Sequence, residues 1–243
     1  MPAVSTALHC AIVSASLAVH LAGHAQAAPP LRMHVYPVPG LFDVLEDGRI
    51  TGPGGALLTK IGLASDVKFE AVSLPIARGV STVLVEPQSC MLGMTRTPER
   101  EARFQWVGIV SRADYVVYGR ADSPTLRPEL TALRGKAVVV VRKTAAADQL
   151  DDEGVAAQEV SSTLSALRML QVRRVDYWYS HQLVAESAAS AAGGGAIKPM
   201  FSTARTDGYV ACHLDVPAAT IDKLRRGLQR LRRSGDLAAF GLR

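Results

Sequence analysis

Apolar and polar positions alternate over residues 31–36, ahead of Pro37, and again over 67–72, a period of two that predicts two half-buried strands. Residues 55–62 between them predict a short helix closed by glycine, and 75–85 a second helix with Arg78 near its start. The apolar run 89–92, bounded by polar residues, suits a strand buried on both faces. After a strand at 115–118 and a break at Asp122-Ser123-Pro124, a second series begins. It runs through a valine-rich strand at 137–141, a helix from Ala145 capped by Thr144, and a helix at 161–170 with leucines at 164, 167 and 170. A strand at 175–179 follows, then a helix at 182–192 ending in glycines, two strand candidates at 199–203 and 208–213, and a last helix at 217–233. Strands alternating with helices predict an α/β fold with mainly parallel sheets, whose ligands sit beyond the carboxyl ends of the strands.

The stretch 93–108 carries the chemistry. It gathers small, hydroxyl, proline and cationic residues between apolar runs. Thr97 as N-cap, Pro98 at the first helical position and Glu99 behind it predict one helical turn, whose N–H groups would point outward beside Arg100. A strand end meeting a helix N-terminus and a guanidinium makes a carboxylate or phosphate receptor. The alternative is a solvated face on which Arg96, Arg100 and Arg103 pair with Glu99 and Glu101 to little energetic effect. A second strand end meets a helix start at Thr144 and Ala145. Two anion-receptive ends, one in each series, suggest two facing lobes. Tyr36 and Phe42 flank a first loop rich in Pro and Gly; each reads equally as an aromatic contact for a solute or as a core residue.

At 243 residues and 48% hydrophobic composition the chain can bury a real core. Its first 27 residues carry no Asp, Glu, Lys or Arg, are apolar over 11–23, and end in Ala25-Gln26-Ala27, a pattern that predicts a secretory signal cleaved after Ala27. Cys10, preceded by His9 and very little chain, does not resemble a lipoprotein site, so the expectation is a soluble exported protein without a lipid anchor. The net charge of +5 belongs to the remainder. Its densest basic run, 223–233, lies opposite an apolar stripe of Ile221, Leu224, Leu228 and Leu231, which makes it a solvated helix face; no nucleic-acid motif accompanies it. Neither a metal-ligand set nor a Ser-His-Asp constellation has usable spacing, and no cofactor is expected. Cys90 and Cys212 remain after export. Spacing alone cannot bring them together, so two separate buried thiols are expected before a bridge.

The block Gly93-Met94-Thr95-Arg96-Thr97-Pro98-Glu99-Arg100, with Phe104 four residues on, resembles the signature of family 3 bacterial extracellular solute-binding proteins, which collect polar amino acids for ABC importers. Weaker matches are Asp47-Gly48, Gly52, Leu133 to Lys136, Arg173 to Asp176 and Arg233 to Asp236, and the resemblance is closer still to a subgroup matched by Leu74-Pro75 with Arg78, Arg96 to Glu101 and Trp106-Val107-Gly108. The resemblance implies a two-lobed type II periplasmic-binding fold, each lobe a mainly parallel sheet flanked by helices, joined by two crossing strands near 115–120 and 201–211. Lobe 1 would comprise 28–118 and 212–243, and lobe 2 would comprise 119–211. It implies a monomer that closes over its ligand and docks on an ABC permease. It also makes the strands of Cys90 and Cys212 neighbours. Arg100 would hold the ligand carboxylate, with Gly93 and Thr95 beside it, Arg96 near, and amides of Thr144 and Ala145 opposite. The sequence departs from the family at His181, where an acid usually meets the ligand's ammonium, and at Ile76, where an aromatic platform is usual. A mono- or dicarboxylate therefore fits Arg96, Arg100 and His181 at least as well as an amino acid. A dehydratase-like enzyme on the same fold, or a sensor relative, are the competing functions.

Overall fold

The computed structural model describes residues 30–194 and 197–242. The expected cleavage after Ala27 and the glycine at 195 lie outside them. The parallel edge of the main sheet is β1 (Leu31–Val35) between β4 (Phe69–Ser73) and β5 (Ser89–Thr95). The helix α1 (Gly52–Ser65) connects β1 to β4, and α2 (Ile76–Val83) connects β4 to β5. The first loop folds a hairpin of β2 (Asp43–Val44) and β3 (Ile50–Thr51) that alternation does not predict. α1 starts three residues earlier and ends three later than expected, because Pro53 is accommodated in its first turn and Gly62 is helical.

Two long strands, β6 (Gln105–Gly119) and β10 (Lys198–Cys212), pair antiparallel along their length and cross from one half of the molecule to the other. Beyond them lie β9 (Tyr177–His181), β7 (Val138–Val141) and β8 (Gln158–Val160), giving the order β4-β1-β5-β10-β6-β9-β7-β8. Sequence periodicity reads β10 as two strands because its middle is polar. Those polar residues cross-link the pair: Arg112 grips Asp207 with two hydrogen bonds of 2.6 and 2.9 Å, and Arg205 Nε lies 3.0 Å from Asp114.

Separate cores form on either side of this crossing. Met33, Leu57, Ile61 and Val210 pack with Leu224 and Leu228 of α7 (Ala218–Arg233), whose apolar stripe is buried while most of its cations face solvent. In the other half, Val138 and Val140 face Leu150 and Tyr177, whereas Val139 and Val141 face Leu167 and Trp178. Alternation on a strand buried on both faces explains why four successive valines are all buried. The helices α4 (Ala145–Asp152) and α6 (Gln182–Ala191) start within four residues of strand ends, and α5 (Thr163–Gln171) lies between β8 and β9. Among the described residues no helix is long and apolar enough to cross a membrane.

Cys90 and Cys212 sit directly opposite each other on β5 and β10 and form a disulfide. This corrects the expectation of two separate thiols. Spacing of 122 residues carries no information about pairing; antiparallel register does.

Candidate functional site: a cavity at four strand ends

β5 runs three residues past its apolar run, to Thr95, because Met94 and Thr95 pair with Tyr209 and Gly208 of β10. Gly93 takes φ +81°, a conformation that favours glycine, so the strand turns its end without a side chain in the way. The predicted helical turn follows as α3 (Pro98–Glu101), with Thr97 as N-cap and Pro98 in the first turn. One detail differs: the Arg100 N–H already donates to Thr97 O (3.0 Å), so it is not free to meet an anion.

The carboxyl ends of β1, β5, β7 and β9 converge on a cavity of about 90 Å³. Tyr36, Gly93, Thr95 and Arg100 line it from one half, and Thr144, Ala145, Ser180 and His181 from the other. Arg100 is the single Asp, Glu, Lys or Arg side chain in the lining among the described residues. Its side chain is 13% exposed and reaches across the cleft. Nη1 donates to Thr95 O (3.3 Å), while Nη2 donates to Lys143 O (3.3 Å) and to Asp148 Oδ2 (3.2 Å). Burial pushes the Asp148 carboxyl up from its ordinary range, and the Arg100 charge pulls it back.

Thr144 caps α4 as predicted. Its hydroxyl accepts from Ala147 N (3.3 Å) and donates to Val141 O (2.6 Å). The first N–H groups of the helix, those of Ala145 and Ala146, have no intrahelical partner at this cavity wall.

Tyr115 and His181 face each other in the β6–β9 ladder, their rings edge to face at 5.6 Å. The Tyr115 hydroxyl is 3.0 Å from Thr95 Oγ1 and so ties the two halves together. Tyr179 stacks obliquely on Tyr115 (5.7 Å), and its hydroxyl donates to Gln149 Oε1 (2.5 Å) and shares a hydrogen bond with Thr203 (2.7 Å). Desolvation lowers the His181 pKa to about 4, against a weaker upward pull from Asp114, so the imidazole is neutral near pH 7. Its Nδ1 is buried without a hydrogen-bond partner among the described residues.

The other expected residues divide. Arg96 does not line the cavity: it pairs with Glu101, Nε to Oε2 at 2.6 Å, and lies over the rings of Trp106 (5.5 Å) and Tyr209 (5.7 Å). Phe42 is a core residue that also lines the cavity, and its ring occupies the space a side chain at Gly54 would need. Ser111, Tyr115, Tyr179 and Asp148 escape sequence reasoning as site residues. For the tyrosines, aromatic residues at the ends of predicted strands were the available signal. Asp148 offered none, because its partner lies 48 residues away.

No family model matches the sequence, and no curated protein matches it. Solved structures do match in fold. A mutant of ArgBP from T. maritima superposes with a TM-score of 0.75 at 20% identity, over 87% of this chain and 92% of that one. The GluR0 ligand-binding core from Nostoc punctiforme, in complex with L-glutamate, gives 0.74 at 18% identity over 87% and 97%. A histidine kinase sensor domain with similarity to periplasmic binding proteins gives 0.77 at 17% identity over 87% and 94%. With hydrophobic cores in both halves, two crossing strands and a cavity between the halves, the chain has the two-lobed α/β fold of periplasmic binding proteins.

Proposed function

We propose that the protein is an exported solute-binding protein, a relative of family 3, which closes over a small carboxylate-bearing ligand and delivers it to an ABC permease. The observation that carries this reading is Arg100, a mostly buried guanidinium at a strand-end cavity that has no other charged side chain in its described lining. A carboxylate there gains charge-assisted hydrogen bonds that water no longer supplies. Gly93 and Thr95 would contact it from the same lobe, Thr144 and Ala145 would offer backbone N–H groups from the other, and Tyr36 and Phe42 would cover the ligand's body. The lobe limits remain 28–118 with 212–243 and 119–211. The cores change over somewhat ahead of those limits, on β6 between Val110 and Tyr115 and on β10 between Phe201 and Val210. Export to the periplasm rests on the apolar N-terminus and Ala25-Gln26-Ala27. A sensor is the second reading, favoured by the likeness to the histidine kinase sensor domain. A dehydratase would need an acid in the cavity, whereas Asp148, raised by burial, lies outside its lining and is engaged by Arg100.

The test is a thermal-shift screen of the mature protein against organic acids and amino acids, followed by calorimetry on the strongest stabiliser. Arg100→Ala should weaken binding at least tenfold, since removing one partner of a buried charged pair costs about 2 to 5 kcal/mol. Arg100→Lys should be nearly as damaging, because an ammonium lacks the planar fork. Arg226→Ala, on the exposed face of α7, serves as control. Wild-type affinity in Arg100→Ala would remove the carboxylate reading.

A further inference from the structure

We infer that the ligand is a small monocarboxylate bearing an uncharged hydrogen-bonding substituent, a hydroxyl or an oxo group, in place of an ammonium. This rests on the carboxylate reading of Arg100 and specifies what stands beside it. The charge inventory comes first. The described lining holds one guanidinium and no carboxylate, so an ammonium would enter a desolvated space next to a cation with nothing to neutralise it. Two acids that act on these residues are already paired: Asp148, which is not in the lining, with Arg100 at 3.2 Å, and Asp114 with Arg205 at 3.0 Å. A second ligand carboxylate finds no partner either, because Arg96 is turned outward onto Glu101, Trp106 and Tyr209.

The uncharged polar inventory then names the substituent. His181 is one of the lining residues, and its buried Nδ1 has no hydrogen-bond partner among the described residues. A neutral imidazole offers one donor and one acceptor. A ligand hydroxyl serves either tautomer, and an oxo group serves the one that donates from Nδ1. Leaving such a nitrogen without a partner is costly, so a substituent that meets it is selected over one that does not. Ile76, Val80, Met94 and Val184 also line the cavity and suit a short aliphatic body.

The experiment is calorimetry on matched pairs that differ in one group: 2-hydroxypropanoate, 2-oxopropanoate and alanine, then 2-hydroxy-3-methylbutanoate, its 2-oxo counterpart and valine. In at least one set, the hydroxy or oxo acid should bind up to about 100-fold more tightly than the amino acid, the discrimination that an unsatisfied buried polar group can produce. His181→Asp should narrow or invert that preference by supplying an acid, and circular dichroism should show the variant folded. Amino acids binding as well as or better than their partners in the wild type, or a preference unmoved in His181→Asp, overturn the inference. Should that happen while Arg100→Ala still abolishes binding, the carboxylate reading survives. If Arg100→Ala leaves binding intact, or no member of either set binds at millimolar concentration, both fall.

Discussion

Arg100 on α3 and Asp148 on α4 meet at 3.2 Å across the cleft, a contact between two side chains 48 residues apart that belong to opposite halves of the molecule. The same Arg100 nitrogen also holds Lys143 O, so the guanidinium a ligand carboxylate would use is already engaged by the facing lobe. Asp148 is half-exposed, which keeps the pair's contribution small. Asp148→Asn should therefore raise the affinity for a carboxylate ligand by about three- to tenfold, equivalent to roughly 1 kcal/mol. It should also increase the radius of gyration of the ligand-free protein in small-angle scattering. If both quantities stay at wild-type values, Asp148 does not compete for Arg100.

Arg96 provides the contrast. It belongs to the same block as Arg100 but spends its guanidinium on Glu101 and on the rings of Trp106 and Tyr209. Arg96→Ala should leave ligand affinity within about twofold and lower the melting temperature slightly, as expected for an exposed cation over aromatic faces. A tenfold loss in calorimetry would show that Arg96 reaches the ligand.

The Cys90–Cys212 bridge closes a loop of 122 residues and ties β5, which ends at Thr95, to the second crossing strand. Constraint of the unfolded chain should make the bridge worth about 2 to 5 kcal/mol. Replacing both cysteines by alanine should lower the urea midpoint accordingly, and unreduced, denatured wild-type protein should show neither thiol on titration. Two free thiols would exclude the bridge.

Stability should also depend on pH through buried histidines. His181 stays neutral in the folded state down to about pH 4, whereas in the unfolded chain it protonates near pH 6.5. The unfolded state then binds more protons between these values, so the stabilisation is fully present above pH 6.5 and is lost as the pH falls towards 4, by about 3 kcal/mol at most. His34, lowered chiefly by burial, adds in the same direction, while Asp148, raised by burial, opposes near its own titration. In chemical denaturation at pH 7.5 and pH 5, His181→Phe should lose less stability than the wild type on acidification. An equal loss would mean that His181 does not stay neutral.

Elements whose side chains meet a uniform environment were legible in advance. The buried valines of β7, the Thr144 cap of α4 and the stripe of α7 each follow from local composition, capping or periodicity, whereas β1, expected to be half-buried, is buried at three successive residues, Met33, His34 and Val35, because it lies between two neighbouring strands. β10 was not legible as one strand. Its polar middle crosses between the two cores, where the environment changes along the strand, and ladder pairing with β6 together with the Arg112–Asp207 and Arg205–Asp114 pairs replaces hydrophobic burial.

The candidate site divides in the same way. Sequence by itself determined the α/β class, the block that bears Arg100, and the strand-to-helix junction at Thr144 and Ala145, since these depend on neighbours within a few residues. Only the tertiary structure decided that Arg96 turns away while Arg100 turns in, that Cys90 meets Cys212, that Tyr115 stands against His181, and that Asp148 reaches Arg100. Each of these depends on the register between strands or on the approach of two halves far apart in the chain, and pairing at that range leaves no periodic trace in either segment.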